Sequence, residues 1–511
     1  MGRTSRVRSG LLTASLLVAG AAPAWAGMTL MFAVDNAQYS PSDVYVMFGG
    51  AETGLTGNII GGGPIALGQS YSMAELASGI DLVAFNSGRI FISLGQPLTS
   101  PSSANGYAPN FSNSLLPDYT TRWDKVEISF SNGTGGADLT ASDFFSVPLQ
   151  LTASGGGVPS ATLQWNAATA TALQAVGKLS NFSLTQPNGV FYPYGAIVTG
   201  PDGVPIPGVN QPVVRIINPS TVTSMPDGTT VYPSFGAYLN YIKINAVSTT
   251  IAGSNATAAD PQQTYSFAAT IANTSYSIAG ASISPGDLVF TGTVSDGHGG
   301  VVPTTFFIPA ANLTDSSVYG ANAAFTIVDG ADTNGVIRHA VADYLSALNF
   351  GLIGSNEPNP NDPGQTIGNS PSWTWYGTDP DGTTSPKLPI SDAFSAAQPN
   401  DPFYNQVADY LVGITDAYGF PYNDRLELPL LALADDTTLT ITVQSDGVGA
   451  SESEVPEPST WRLMAGGIVI LLAARRARRR TSRPWRVRSP PSPRSQANRT
   501  ASTTAADGRV P

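Results

Sequence analysis

At 511 residues and 42% hydrophobic content, the chain is long enough for one large or two ordinary domains with a buried core, which excludes disorder throughout. Only 12% of residues are charged, Gly (53) and Pro (40) abound and cysteine is absent, so strands and loops should outweigh helices, and disulfides and thiolate zinc sites are excluded. The formal charge of −12 hides an asymmetry: fifteen of the 24 basic residues lie near the ends, leaving nine basic against 34 acidic residues in 27–454, a formal −25 that repels nucleic acid and anionic membranes but not a neutral polymer.

In chain order, Arg3, Arg6 and Arg8, the apolar run from Leu11 to Ala22 and the small-x-small site Ala24-Trp25-Ala26 predict a secretory signal peptide over residues 1–26, cut by signal peptidase. That run is too short to span a membrane. From Met28 to Leu98 the segments MTLMFAV, DVYVMFGG, LVAFNS and RIFISLG, punctuated by Gly, Ser and Pro, read as the opening strands of a sandwich or barrel. Arg89 is a rare positive charge here, either a salt-bridged structural residue or a ligand contact. Tyr107, Phe111, Tyr119 and Trp123 follow, aromatic side chains that suit sugar rings or the core.

Val126, Ile128 and Phe130 alternate with Glu127 and Ser129, the period-2 pattern of a strand, which turns Glu127 away from the core. The run Ser131-Asn-Gly-Thr-Gly-Gly136 is turn chemistry, and Phe144, Phe145, Val147 and Leu149 resume the apolar pattern. Folding back about Gly135 places Glu127 and Asp143 opposite each other. Two readings stand: an acid and a base for splitting a glycosidic bond, or two solvated acids flanking a hairpin.

Ser160 to Lys178 reads as a short helix, and Val213 to Asn245 supplies VVRIINPS and FGAYLNYIKIN as strands or a bridging segment. Tyr265 to Val328 returns to strands, with His298 in a hairpin tip and not a metal site. A helix starts after Asp332 or Asn334 and runs to about Phe350, with Ile337, Val341, Tyr344, Leu345 and Leu348 on its apolar face and Gly351 beyond it; His339 is packed or on its surface. With two histidines in the chain, a histidine-based triad is not expected. A second helix, capped by Asp401 with Pro402 in its first turn, buries Phe403, Val407, Leu411 and Ile414. Trp373 and Trp375 between them are rim or core residues, and LTITVQ closes the body as a strand. No nucleotide, redox or metal cofactor is called for. At the end, Val455-Pro-Glu-Pro-Ser-Thr460 precedes an apolar segment, 461–474, suited to transient membrane anchoring, and arginines that hold its end in the cytoplasm. Residues 481–511 have a disordered composition.

The stretches SGRIFISLGQPL, VEISF, DFFSVPLQL, FGAYLNYIKIN, SALNFG, DPFYNQVADYL and YGFPYND, in this order, resemble glycoside hydrolase family 64, beta-1,3-glucanases that share the thaumatin-like fold. The resemblance implies a mainly β protein, a thaumatin-like β-sandwich or barrel with a smaller α/β part, and a glucan-binding cleft between them. It implies Glu127 as general acid and Asp143 as general base of an inverting reaction. Arg89 matches a cleft arginine, Ser129 and Ser131 stand at polar substrate-binding positions, and Asn423 and Asp424 match a pair of substrate-contacting acids, the first replaced here by Asn. No Trp or Tyr follows Glu127 before Asp143, where the family carries an aromatic. The tail resembles the PEP-CTERM sorting signal read by exosortase, which implies export from a Gram-negative inner membrane to the cell surface or matrix. Residues 481–511 extend beyond where that signal ends.

The resulting division is a signal peptide (1–26), a β domain (27–330), a smaller α/β part (331–425), a closing strand region (426–447), a linker (448–454), the sorting signal (455–480) and a tail (481–511). The expected function is an exported inverting endo-beta-1,3-glucanase. A non-catalytic protein binding glucan or exopolysaccharide matrix, and a purely structural surface protein, are the alternatives.

Overall fold

The computed structural model describes residues 27–447 apart from 51–53, 100–105, 110–117, 119–120, 170–171, 173–175, 177–203, 206–211, 214, 223–231, 256–262, 296–299, 331, 333–334, 378–385, 395–402 and 427–429. The expected signal peptide, linker, sorting signal and tail lie outside the described residues, as do Phe111, Tyr119, His298, Asp401 and Pro402.

The fold is mainly β. The alternating segments of the first third become β1 (Met28–Val34), β2 (Val44–Gly50), β3 (Thr56–Ile59), β4 (Ser70–Ser72), β5 (Ile80–Leu94), β6 (Trp123–Ser131), β7 (Thr134–Leu139), β8 (Phe144–Phe145), β9 (Leu149–Gly155) and β10 (Ala161–Leu163). Helix α1 (Gly236–Ile244) leads to β11 (Ser248–Asn255), β12 (Gln263–Ile271), β13 (Leu288–Ser295), β14 (Val301–Ile308) and β15 (Thr326–Asp329). Helices α2 (Val336–Phe350) and α3 (Gln406–Val412) follow, then β16 (Leu431–Ala434) and β17 (Thr437–Val443).

The main sheet runs β10-β9-β17-β1-β5-β6-β7-β16, with β2 and β3 also on β5 and β4 on β2. Its end strands approach each other, so it nearly closes into a barrel around Val46, Phe48, Ile90, Ile92, Val126, Ile128, Phe130, Leu151 and Ile441, all buried. Closure satisfies edge hydrogen bonds and hides the apolar face in one step. Strand β5 serves two neighbourhoods. Its first part pairs β1 and β3, its last part pairs β2 and β6, and a bulge between Phe85 and Gly88 turns it from one to the other. β17 runs parallel to β1, from Thr29 opposite Thr438 to Val34 opposite Val443, so the two ends of the described chain are neighbours.

A second, antiparallel sheet has the order β11-β12-β13-β14-β15. Helix α2 lies on it, with Tyr344 edge-on to Phe290 at 5.5 Å, and is buried from Ala340 to Phe350. Asp332 accepts a hydrogen bond from the Ile337 N–H at 2.9 Å, and Gly351 ends the helix at φ 73°, so the start and stop signals act as read. Because α2 covers a sheet that begins at Ser248, the smaller layer starts well before residue 331.

Three local expectations change, and one open reading is decided. FGAYLNYIKIN is helix α1, with Tyr238 and Ile242 buried one turn apart and Tyr238 stacked on Phe403 at 5.1 Å. Ala161–Leu163, within the stretch read as helix, is a strand on β9; Thr169, Ala172 and Val176 are helical. The cap of α3 is Asn405, which accepts from the Ala408 N–H at 3.1 Å. Trp375 is fully buried, its Nε1 donating to the Ile367 carbonyl at 2.9 Å, so it is core and not rim. Among the described residues no helix is long and apolar enough to cross a membrane.

Candidate active site

The β6–β7 hairpin turns at Asn132-Gly133, whose φ angles of 52° and 75° suit a tight two-residue turn matched to strand twist. The glycine run read as the loop belongs to β7 instead: Gly135 pairs with Phe130 and Gly136 with Ser129. A Cβ on Gly135 would stand 2.0 Å from the Ser129 carbonyl oxygen, so only glycine fits there. Since the chain turns earlier than Gly135, the residue opposite Glu127 is Asp138, not Asp143. The Asn-Gly pair was the signal in the sequence that would have found it.

Alternation then sorts the side chains. Val126, Ile128 and Phe130 enter the barrel, while Trp123, Lys125, Glu127 and Ser129 share its outer face with Arg89 and Phe91 of β5 and Asp138 of β7. At one end this face is dry. Trp123 packs edge-on between Phe91 (5.6 Å) and Phe144 (4.7 Å), with Met47 and Leu98 beside them, so Trp123 is core and not a sugar platform. At the other end it opens into a cleft of about 390 Å³ lined by Ser87, Gly88, Arg89, Glu127, Ile128, Ser129, Gly136, Asp138 and Leu430.

Charges are ordered along this face. Arg89 stands opposite Glu127, its Nε 3.3 Å from Oε1. Lys125, 2% exposed, places Nζ 3.1 Å from Asp143 Oδ2 and 4.4 Å above the Phe144 ring. The Lys125 ammonium holds the Asp143 carboxyl below the usual range against its burial, with help from Arg89. Asp138 goes the other way. Burial first, then the charges of Glu127 and Asp424, push its carboxyl up to about 8 against Lys125 and Arg89. The Tyr418 hydroxyl is pushed up by burial and then by the charges of Asp138, Asp424 and Glu127. Its backbone is stitched to the end of β7, N–H to the Leu139 carbonyl at 3.0 Å and carbonyl from the Ala141 N–H at 2.9 Å.

Asp143 sits in a bend after β7, its side chain 36% exposed. Buried Asn218 pins that bend: its N–H donates to the Asp143 carbonyl at 2.9 Å and its Nδ2 to the Ala141 and Gly419 carbonyls at 3.0 and 2.7 Å. Asp124 Oδ2 accepts from the Ser146 and Val147 N–H groups at 2.7 and 3.1 Å, fastening the chain that follows. The turn Asn423–Arg425 is anchored from below, where Arg425 pairs with Asp343 of α2 (Nε to Oδ1 2.6 Å) and Tyr265 donates to the same carboxylate. Asp424 thereby comes close enough to act on Asp138. Asn423 is 3% exposed, and neither it nor Ser131, at the hairpin end, lines the cleft; Asp143 and Asp424 also stand outside its lining. Asp138, Tyr418, Lys125 and Asn218 are the participants that sequence reasoning missed.

Residues 64–244, which include β5, β6, β7 and both candidate acids, match the family model of glycoside hydrolase family 64, described as beta-1,3-glucanase. By that match the chain carries a glycoside hydrolase segment. Asn423 and Asp424 lie beyond the matched residues of this glycoside hydrolase. Among solved structures, the chain is similar to a family 64 beta-1,3-glucanase domain from Clostridium beijerinckii (16% identity, 82% of this chain and 98% of that chain covered, TM-score 0.48). It is similar also to a laminaripentaose-producing beta-1,3-glucanase in complex with laminaritetraose (14% identity, 82% and 99% covered, TM-score 0.44). A third, from Paenibacillus barengoltzii and complexed with laminarihexaose, shows 12% identity, 82% and 75% coverage and a TM-score of 0.43. No curated protein matches the chain in sequence.

Proposed function

We propose that the chain is an exported endo-beta-1,3-glucanase acting with inversion, Glu127 as general acid and Asp143 as general base. The observation that carries this reading is that the segment matching beta-1,3-glucanases places Glu127 in an open cleft on the outer face of the β6–β7 hairpin, with Asp143, just beyond β7, tied to the same face by Lys125. The acid protonates the leaving glycosidic oxygen while the base takes a proton from the attacking water. Asp143 suits the base, because Lys125 beside it keeps its carboxyl ionised and able to accept a proton. Inversion needs carboxyl groups about 6.5–9.5 Å apart, with water between them.

Arg89 and Ser129 offer hydrogen bonds to sugar hydroxyls, and Leu430 offers an apolar surface for their C–H faces. A neutral glucan meets no electrostatic penalty from the acidic body. The near-closed sheet with an acidic cleft on its outer face supports placement in the thaumatin-like superfamily. The signal-peptide pattern of 1–26 and the PEP-CTERM-like 455–480 support export and sorting to the cell surface or matrix.

The test is sugar release from a linear beta-1,3-glucan. Glu127→Gln and Asp143→Asn should each lower kcat by about 10²–10⁴. Wild-type release rates in either variant would overturn its assigned role. The first anomer seen by proton NMR should be α; a β product would refute inversion.

A further inference from the structure

Glu127 and Asp138 stand directly opposite each other on β6 and β7, and both line the cleft. Opposed residues in an antiparallel ladder have Cβ atoms about 4.5–5.5 Å apart. Two carboxylates at that separation disfavour each other's charge, and one of them keeps a proton. The surrounding charges do not relieve the pair evenly. Arg89 engages Glu127 from β5, Lys125 on β6 is committed to Asp143, and Asp424 adds a third negative charge toward Asp138. The Tyr418 hydroxyl is pushed up by burial and then by the same three carboxyl groups. Asp138 Oδ1 is buried and has no hydrogen-bond partner among the described residues, so no donor stabilises a charge on it.

We infer that Glu127 and Asp138 hold one proton between them, and that Asp138 is a positioning residue that keeps the acid loaded at neutral pH. The inference rests on the role proposed above for Glu127. The carboxyl of Asp138, pushed up to about 8 by burial and by Glu127 and Asp424, is consistent with it. In the cycle, Glu127 gives its proton to the leaving oxygen and becomes a carboxylate, and Asp143 takes one from the attacking water. The pair, left without its proton, regains one from solvent, while Asp143 releases its own to solvent, so the site returns to its starting state with one water consumed. The protons of such a pair leave in two macroscopic steps that belong to both residues.

The test compares the pH profile of kcat/KM on a linear beta-1,3-glucan for the wild-type protein and Asp138→Asn, an uncharged near-isostere. The wild type should keep its activity up to about pH 8. In Asp138→Asn the basic limb should move down by more than about one unit, cutting the rate near neutrality at least about tenfold while changing it little in acid. An unmoved limb, or a loss uniform across pH as a purely structural role would give, overturns the proposal. Carboxyl-carbon NMR of the wild type, with the Asp138 signal assigned from the variant, reads the same pair without turnover. A step near pH 8 felt at both Glu127 and Asp138 supports the shared proton, and titration of both below about pH 5 refutes it. Both signals stepping together in a protein that cleaves no glucan would refute the function proposed above and leave the shared proton standing.

Discussion

Folding shifts the carboxyl groups of Asp138 and Asp143 in opposite directions, and each shift has a consequence for stability. Burial and the charges of Glu127 and Asp424 push the Asp138 carboxyl up to about 8 in the native state, against roughly 3.9 for an exposed aspartate. Between those values the native state binds more protons than the unfolded one, so this residue lowers stability as pH rises through that window. Asp143 has the reverse sign: Lys125 lowers its native pKa, so its contribution is full above the unfolded value and is lost as pH falls through the native one. Asp138→Asn should therefore raise Tm relative to wild type at about pH 9 and leave it nearly unchanged below about pH 4. Thermal unfolding followed by circular dichroism at both pH values checks this, and an equal shift at both would refute it. Glu127 was legible from alternation alone. Asp138 was not, because its position opposite Glu127 depends on where the chain turns, and a few residues' error in the turn exchanges one aspartate for another.

At the scale of the element, the hairpin depends on close backbone approach. Gly135→Ala should cost about 2–4 kcal/mol, since the new methyl meets backbone on β6 that cannot move without breaking the ladder. Gly63 has open space where a Cβ would stand, so Gly63→Ala should be near neutral. Urea unfolding of the two variants gives the comparison; equal midpoints would refute the account of Gly135. Helix α2 was readable because its signals are local: an acidic side chain at its start, a 3.6-residue apolar face and a terminal glycine. Helix α1 was not. Its aromatic and β-branched residues favour strand, and only the pocket formed with Phe403 makes the Tyr238–Ile242 spacing decisive.

For the whole molecule, the closing interaction joins the ends of the described chain. β17 fills the gap between β1 and β9, and just beyond it Asp446 pairs with buried Arg122 and accepts from Thr169 Oγ1 at 2.8 Å. Ending the chain after Ala434 removes that strand and takes the Asp446 carboxylate from buried Arg122, a loss on the order of the total stability of a domain. The truncated chain should lack a cooperative thermal transition and near-UV circular dichroism. A transition as sharp as that of the full chain would show that the barrel closes without β17.

The sequence by itself determined the β class, the strands of the first third, helix α2 and the outward direction of Glu127, because each depends on residues a few positions apart. It also carried the family words that the match over residues 64–244 supports. Only the tertiary structure decided that Asp138 faces Glu127, that Lys125 serves Asp143, that Asn218 and Tyr418 bind the hairpin to the chain near residue 419, and that Asn423 is buried. Those contacts join residues distant in sequence, and their electrostatics depend on burial, which local patterns do not encode.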